Sequence, residues 1–199
     1  MSKTGRIFAS SVGVTVVAGS AMAGLLVAPA QAAEAAAPNS DASISSDQSC
    51  FEKVTVGNSR YRGDIFHSYA EPGWGVPNHV GIYYTTKTIV EAPGPGSKSQ
   101  ARTAATLNKC GPVYKMYVKA NQASRDKAAT YAYTKLRGKP YDAHSNKNKG
   151  NGDHELNSSE LVWRAYKAVR VDLDHNGGTA VYPDDIKRSS GTVIYSVTR

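Results

Sequence analysis

The chain predicts an α+β domain in which an antiparallel β-sheet is covered on one face by helices. Short runs rich in β-branched and aromatic residues fall at 62–67, 79–84, 87–92, 112–119 and 192–198, with Gly, Pro and Asn between them. The second and third runs follow each other so closely that they read as a hairpin. Two further stretches recur with helical spacing and end at residues that stop helices.

Taken in order, the chain opens on a targeting segment. Lys3 and Arg6 supply its positive start, an apolar run extends from about Val12 to Val27, and Ala30-Gln31-Ala32 is an Ala-x-Ala cleavage signal. Residues 1–32 therefore read as a signal peptide cleaved near Ala32, and the protein as secreted. Gly19 and Ser20 break the apolar run, which argues against a membrane span. Residues 33–48 are Ala-, Ser-, Asp- and Pro-rich and have too few large apolar side chains to pack, so they read as a flexible mature N-terminus. Residues 49–199 then form the globular domain. Removing 32 of the 199 residues leaves 167, a size that fits one core.

The leader takes two cations and no acid with it, so the net charge falls from +8 to +6. A basic surface of this kind can hold anionic wall polymers or headgroups, but without clustered Lys/Arg runs it reads first as a solubility feature. No aromatic-and-basic motif supports nucleic-acid binding. Cys50 and Cys110 make an even pair in an exported chain and predict a disulfide that staples the start of the domain to the sheet. By restricting the unfolded chain, its loop of about sixty residues would contribute about 4 kcal/mol.

Within the domain, Ala123, Ala128, Ala129, Ala132, Tyr133 and Leu136 predict a helix over 122–136, ended by Gly138-Lys139-Pro140. Residues 142–157, rich in Asn and Gly, read as a mobile loop. From Ser158 to Ala168, Leu161, Val162, Ala165 and Tyr166 lie on neighbouring turns of a second helix. No internal repeat is visible.

The order of short motifs carries a resemblance. Gly63-Asp64-Ile65, His79-Val80-Gly81-Ile82, Val90-Glu91-Ala92, Gly138-Lys139-Pro140-Tyr141, Ser159-Glu160-Leu161-Val162-Trp163 and Val181-Tyr182-Pro183-Asp184-Asp185-Ile186 follow one another from about Tyr61 onward. This series resembles the permuted papain-like amidases of the YiiX/YebB branch of the NlpC-type hydrolases. The resemblance implies a permuted papain-like, NlpC-type fold, with the histidine strand early and the nucleophile helix late. It also implies cleavage of an amide or ester, such as a cell-wall peptide or acyl-amide linkage. The chain departs from the pattern at one place: the family's nucleophilic cysteine precedes the Ser-Glu-Leu run, and Ser158 stands there.

On this reading His79 is the general base, because imidazole exchanges protons near neutral pH. Glu91 orients it, and Ser158 attacks the carbonyl. Backbone N–H groups at the helix start would hold the oxyanion. A serine gains less than a cysteine from a helix N-terminus, and Ser158 or Ser159 could equally cap the helix without chemistry, with Asn157 and Glu160 forming a capping box. A catalytically inactive ligand-binding or interaction protein on the same fold is the alternative. Trp74, between Gly73 and Gly75, and Tyr141 are the expected substrate-lining residues. No cofactor and no metal is required, and the expected state is a monomer.

Two other motifs rank lower. Asp172-Leu173-Asp174-His175-Asn176-Gly177 matches half of an EF-hand loop, but Pro183 stands where the bidentate Glu belongs, and a simple Asn-Gly turn explains it. Arg62-Gly63-Asp64 spells an adhesion tripeptide that runs into an apolar strand. His67, His144, His154 and His175 show no ligand spacing.

Overall fold

A computed structural model describes residues 50, 52–69, 78–150 and 152–199, all within one compact unit, Ser43–Arg199. The leader, the N-terminal segment 33–48 and Trp74 lie outside the described residues.

Seven strands form one antiparallel sheet: β1 (Lys53–Thr55), β2 (Ile65–Tyr69), β3 (Asn78–Thr85), β4 (Thr88–Glu91), β5 (Gln100–Thr103), β6 (Asn108–Val118) and β7 (Thr192–Thr198). The spatial order is β1-β6-β2-β3-β4-β5. β7 joins the same side of β6 as β1, using its later residues, Val113 to Val118, whereas β1 uses Asn108 to Cys110. Three helices follow: α1 (Gln122–Lys135), α2 (Ser158–Lys167) and α3 (Pro183–Arg188).

The predicted hairpin is β3–β4, with Ile82 opposite Val90 and Tyr83 opposite Ile89. α1 and α2 fall where the periodicity puts them. The predicted strand at 62–67 begins instead at Ile65, because Gly63 turns the chain at φ +84°. The predicted strand at 112–119 begins earlier, at Asn108, and β6 runs through Gly111-Pro112 with β2 paired on both sides of it across a register shift. β1 and β5 are short and mostly polar, and α3 has only six residues. None of the three carries a periodic signal long enough to read from sequence.

Strand alternation sorts the side chains into two cores. Ile65, Val80, Ile82, Val90 and Met116 face the helices and pack with Ala128, Leu136, Leu161, Val162, Tyr166 and Ile186. Val54, Phe66, Tyr83, Ile89, Leu107 and Val113 fill the opposite face. The disulfide joins Cys50 to Cys110 with Cα atoms 5.2 Å apart, and so fastens the start of the domain beside the β1–β6 pairing, as predicted.

The segment 142–157 is anchored where it was read as mobile. Asn148 is fully buried, donates to the Val181 carbonyl at 3.0 Å and accepts from the Val181 N–H at 2.9 Å. The Arg164 guanidinium holds the Asn148 carbonyl at 3.1 Å. The adhesion tripeptide is not presented: Asp64 is buried and accepts from the Tyr61 N–H at 2.9 Å and the Tyr195 hydroxyl at 2.8 Å.

Gly81 sits where β3 crosses Phe66, and a Cβ there would run into the Phe66 ring. Gly81→Ala should therefore destabilise the domain by about 1–3 kcal/mol through overpacking. A thermal or urea melt unchanged from wild type would contradict this packing.

Candidate active site

α2 begins with an unusual division of labour. Asn157 is the N-cap, its Oδ1 accepting from the Glu160 N–H at 2.9 Å. Ser159 is also structural: its hydroxyl lies 2.9 Å from Asn157 Oδ1 and 2.8 Å from the Val181 carbonyl. Capping therefore falls to Asn157. The Ser158 hydroxyl, on a residue that is 5% exposed, makes no hydrogen bond among the described residues. The N–H groups of Ser158 and Ser159 likewise find no acceptor there. A helix start with free donors beside a free hydroxyl is suited to hold a carbonyl oxygen and the charge that develops on it.

Nearby, the Pro140 carbonyl accepts from the Leu156 N–H at 3.0 Å, which brings the turn carrying Tyr141 alongside the entry to α2. Tyr141 is half-buried against the helix-side core, and burial raises its hydroxyl pKa.

The second half of the site is on β3 and β4. His79 Nε2 lies 2.6 Å from Glu91 Oε2, with His79 5% exposed and Glu91 fully buried. The same oxygen receives Lys109 Nζ at 2.8 Å. Burial pushes the Glu91 carboxyl up, but the His79 hydrogen bond and charge, together with Lys109, hold it at about 2. His79 is shifted the other way: burial first, then the Lys109 charge, lowers its pKa, while Glu91 opposes both. With an ionised acceptor at Nε2, the proton sits on that nitrogen and Nδ1 presents its lone pair. This is the wiring of a general base.

The two halves are not joined. No hydrogen bond links Ser158 to His79 among the described residues. Alternation puts His79 and Glu91 on the face of Phe66 and Tyr83, and the His79 ring lies 5.7 Å from that of Phe66. α2 packs on the opposite, Val80/Ile82 face.

Two features escaped the sequence. Lys109 lies outside the predicted strand 112–119 and carries no local signal, and only the fold brings it to Glu91. His67, read as isolated, is fully buried with Nε2 2.9 Å from Asp184 Oδ1, and pins α3 to the sheet. Burial lowers its pKa. No local signal ties residues so far apart in the chain.

The half EF-hand has other partners. Asp172 accepts from Trp163 Nε1 and Lys167 Nζ, both at 2.9 Å, and Asp174 pairs with Lys149. Ammonium groups thus occupy the carboxylates that a calcium ion would need. Among the described residues no group of three or more His, Cys, Asp or Glu is placed to hold a metal ion, and no helix is long and apolar enough to cross a membrane.

No protein-family model matches the chain. It is 33% identical over 134 residues to YycO, an uncharacterized protein of Bacillus subtilis, an alignment covering 66% of this chain and 54% of YycO. The chain thus spans about half the length of the curated relative it matches. Among solved structures it is similar to the metalloprotein YiiX of Escherichia coli O157:H7, with a TM-score of 0.53 at 15% identity, over 69% of this chain and 97% of YiiX. The fold is thus YiiX-like.

The division of labour at α2 separates three neighbouring side chains by their effect on stability. Asn157→Ala should cost about 1 kcal/mol by removing the cap. Ser159→Ala, which loses a buried hydrogen bond, should cost about 1 kcal/mol. Ser158→Ala should stay within about 0.5 kcal/mol of wild type. Chemical denaturation of the three variants checks the order, and a large loss in Ser158→Ala would give that hydroxyl a structural role.

Proposed function

We propose that this is an exported hydrolase on a permuted papain-like version of the YiiX-like fold, cleaving an amide or ester bond outside the cell. The observation that carries the reading is the start of α2, where Asn157 takes the capping role and leaves the Ser158 hydroxyl and two backbone N–H groups free. Ser158 attacks the carbonyl carbon, and the N–H groups of the first turn hold the oxyanion. His79 Nδ1 accepts the hydroxyl proton and returns it to the leaving nitrogen or oxygen, while Glu91 keeps the imidazole oriented. Water then releases the acyl group by the same proton path in reverse. Wall peptides and acyl-amides are the substrate classes that the family resemblance suggests, and Trp74 and Tyr141 are the residues proposed to line the groove. A disulfide within the domain supports an oxidising compartment, in keeping with the proposed secretion.

Hydrogen bonds between nucleophile and base often tighten only when substrate is bound, so turnover requires Ser158 and His79 to meet around the start of β3. One observation favours a second reading, binding without turnover: the two side chains are unbonded, and His79 lies on the Phe66 face while α2 packs on the other.

YiiX is described as a metalloprotein, but the residues here do not fit a metal centre at His79. His79 Nε2 is committed to Glu91, and the Lys109 ammonium already holds the same carboxylate oxygen. A second cation at that oxygen would meet direct repulsion.

A fluorophosphonate probe tests the choice. Labelling that disappears in Ser158→Ala and in His79→Gln supports the hydrolase. Ligand binding by wild type, with hydrolysis appearing only in Ser158→Cys, establishes the binding reading. The pH dependence has a definite sign: His79 is lowered from 6.5, so it stays neutral below that value. Labelling should therefore persist at pH 6.5 and fall only on further acidification, and an acid limb centred above pH 6.5 would contradict this.

A further inference from the structure

We propose that Lys109 is a positioning residue for the His79–Glu91 pair, its ammonium seating Glu91 Oε2 so that the carboxylate meets His79 Nε2 and leaves Nδ1 as the free lone pair. The inference rests on reading His79 as the base, and is independent of Ser158 as the nucleophile.

Lys109 lies at the beginning of β6, three strands from Glu91 in the sheet order. Adjacent strands are about 4.8 Å apart, so a flat sheet would separate the two backbones by about 14 Å. The two side chains span that gap and close the ion pair to 2.8 Å, which a sheet curled toward this face makes easier. The position of Lys109 is itself fixed. It faces Val54 across the β1–β6 pairing and neighbours Cys110, the disulfide partner of Cys50. At 6% exposure its side chain is not an ordinary solvated lysine.

Both donors converge on one oxygen of Glu91, and Oε1 has no partner among the described residues. A buried carboxylate held through one oxygen is free to rotate unless a second donor fixes that oxygen. Lys109 supplies that donor, together with a positive charge that remains when His79 is neutral. The charge has a second consequence, because a cation close to an imidazole disfavours the imidazolium. The groups facing His79 are Glu91 from β4, Lys109 from β6 and the Phe66 ring from β2, while His67, on the other face of β2, acts on it only through its charge. His67 is itself bonded to Asp184 of α3, close to Lys187. Of the groups facing His79, Lys109 is the lysine, and removing it leaves Glu91 to act on the ring without opposition from that charge.

The test is heteronuclear NMR of the imidazole nitrogens in the disulfide-bonded protein, titrated with pH. In wild type, His79 should be the Nε2–H tautomer at neutral pH. In Lys109→Met its titration midpoint should rise by about one unit, with a mixture of tautomers in the neutral form. Lys109→Arg, which keeps the charge and a donor, should restore the wild-type midpoint. An Nδ1–H tautomer in wild type overturns the proposal with no variant needed. An unchanged midpoint in a folded Lys109→Met protein overturns it as well, leaving Lys109 a structural residue. If Lys109→Met does not fold, the wild-type tautomer and the Lys109→Arg midpoint decide. Because the readout needs no turnover, failure of fluorophosphonate labelling with the NMR shifts intact would sink the hydrolase reading alone.

Discussion

A single buried carboxylate organises one face of this domain. Glu91 is fully covered, and an ionised group there is tolerable only if partners replace the water it has lost. His79 and Lys109 do so from strands that are not all neighbours, so the charge cluster links β3, β4 and β6 on this face. Removing one partner would strand a charge in the interior, which commonly costs about 3–5 kcal/mol. The same constraint orients His79 and brings β6 to the pair.

The helix face obeys a different rule. It is built from apolar alternation along β2, β3 and β6 meeting the small and branched side chains of α1 and α2. Its polar fastenings are few and specific: Asn148 to Val181, Ser159 to Val181, and His67 to Asp184. The first two tie the segment before α2 and α2 itself to the entry of α3, and the third ties α3 to the sheet, so the Ser158 hydroxyl is presented by a fastened support. Site precision of that kind comes from side chains whose own hydrogen bonds are already satisfied.

Much of the framework was legible because it rests on local rules. The alternation through His79–Tyr84 and Thr88–Glu91, the helical spacing of 122–136 and 158–168, and the paired cysteines each state their structure within a few residues or by simple parity. The His79–Glu91 contact was legible for a related reason, since a tight hairpin joins the two strands. What could not be read was whatever depends on strands meeting at long range. Lys109 lies eighteen positions beyond Glu91 in the numbering and looks solvated in sequence. His67 and Asp184 are 117 positions apart. Asn157 as the cap was among the sequence's own candidates and agrees with its high N-cap propensity, while the engagement of Ser159 with the Val181 carbonyl was not legible.

By itself, then, the sequence determined the longer elements, the hairpin and the disulfide, through periodicity, short spacing and the paired cysteines, and the family resemblance pointed to the His79–Glu91 pair. Tertiary structure alone decided the curl of the sheet, the lysine at Glu91 and the faces on which Ser158 and His79 lie. Those features depend on summing strand twist and register across the whole sheet, and no local window of sequence contains that sum.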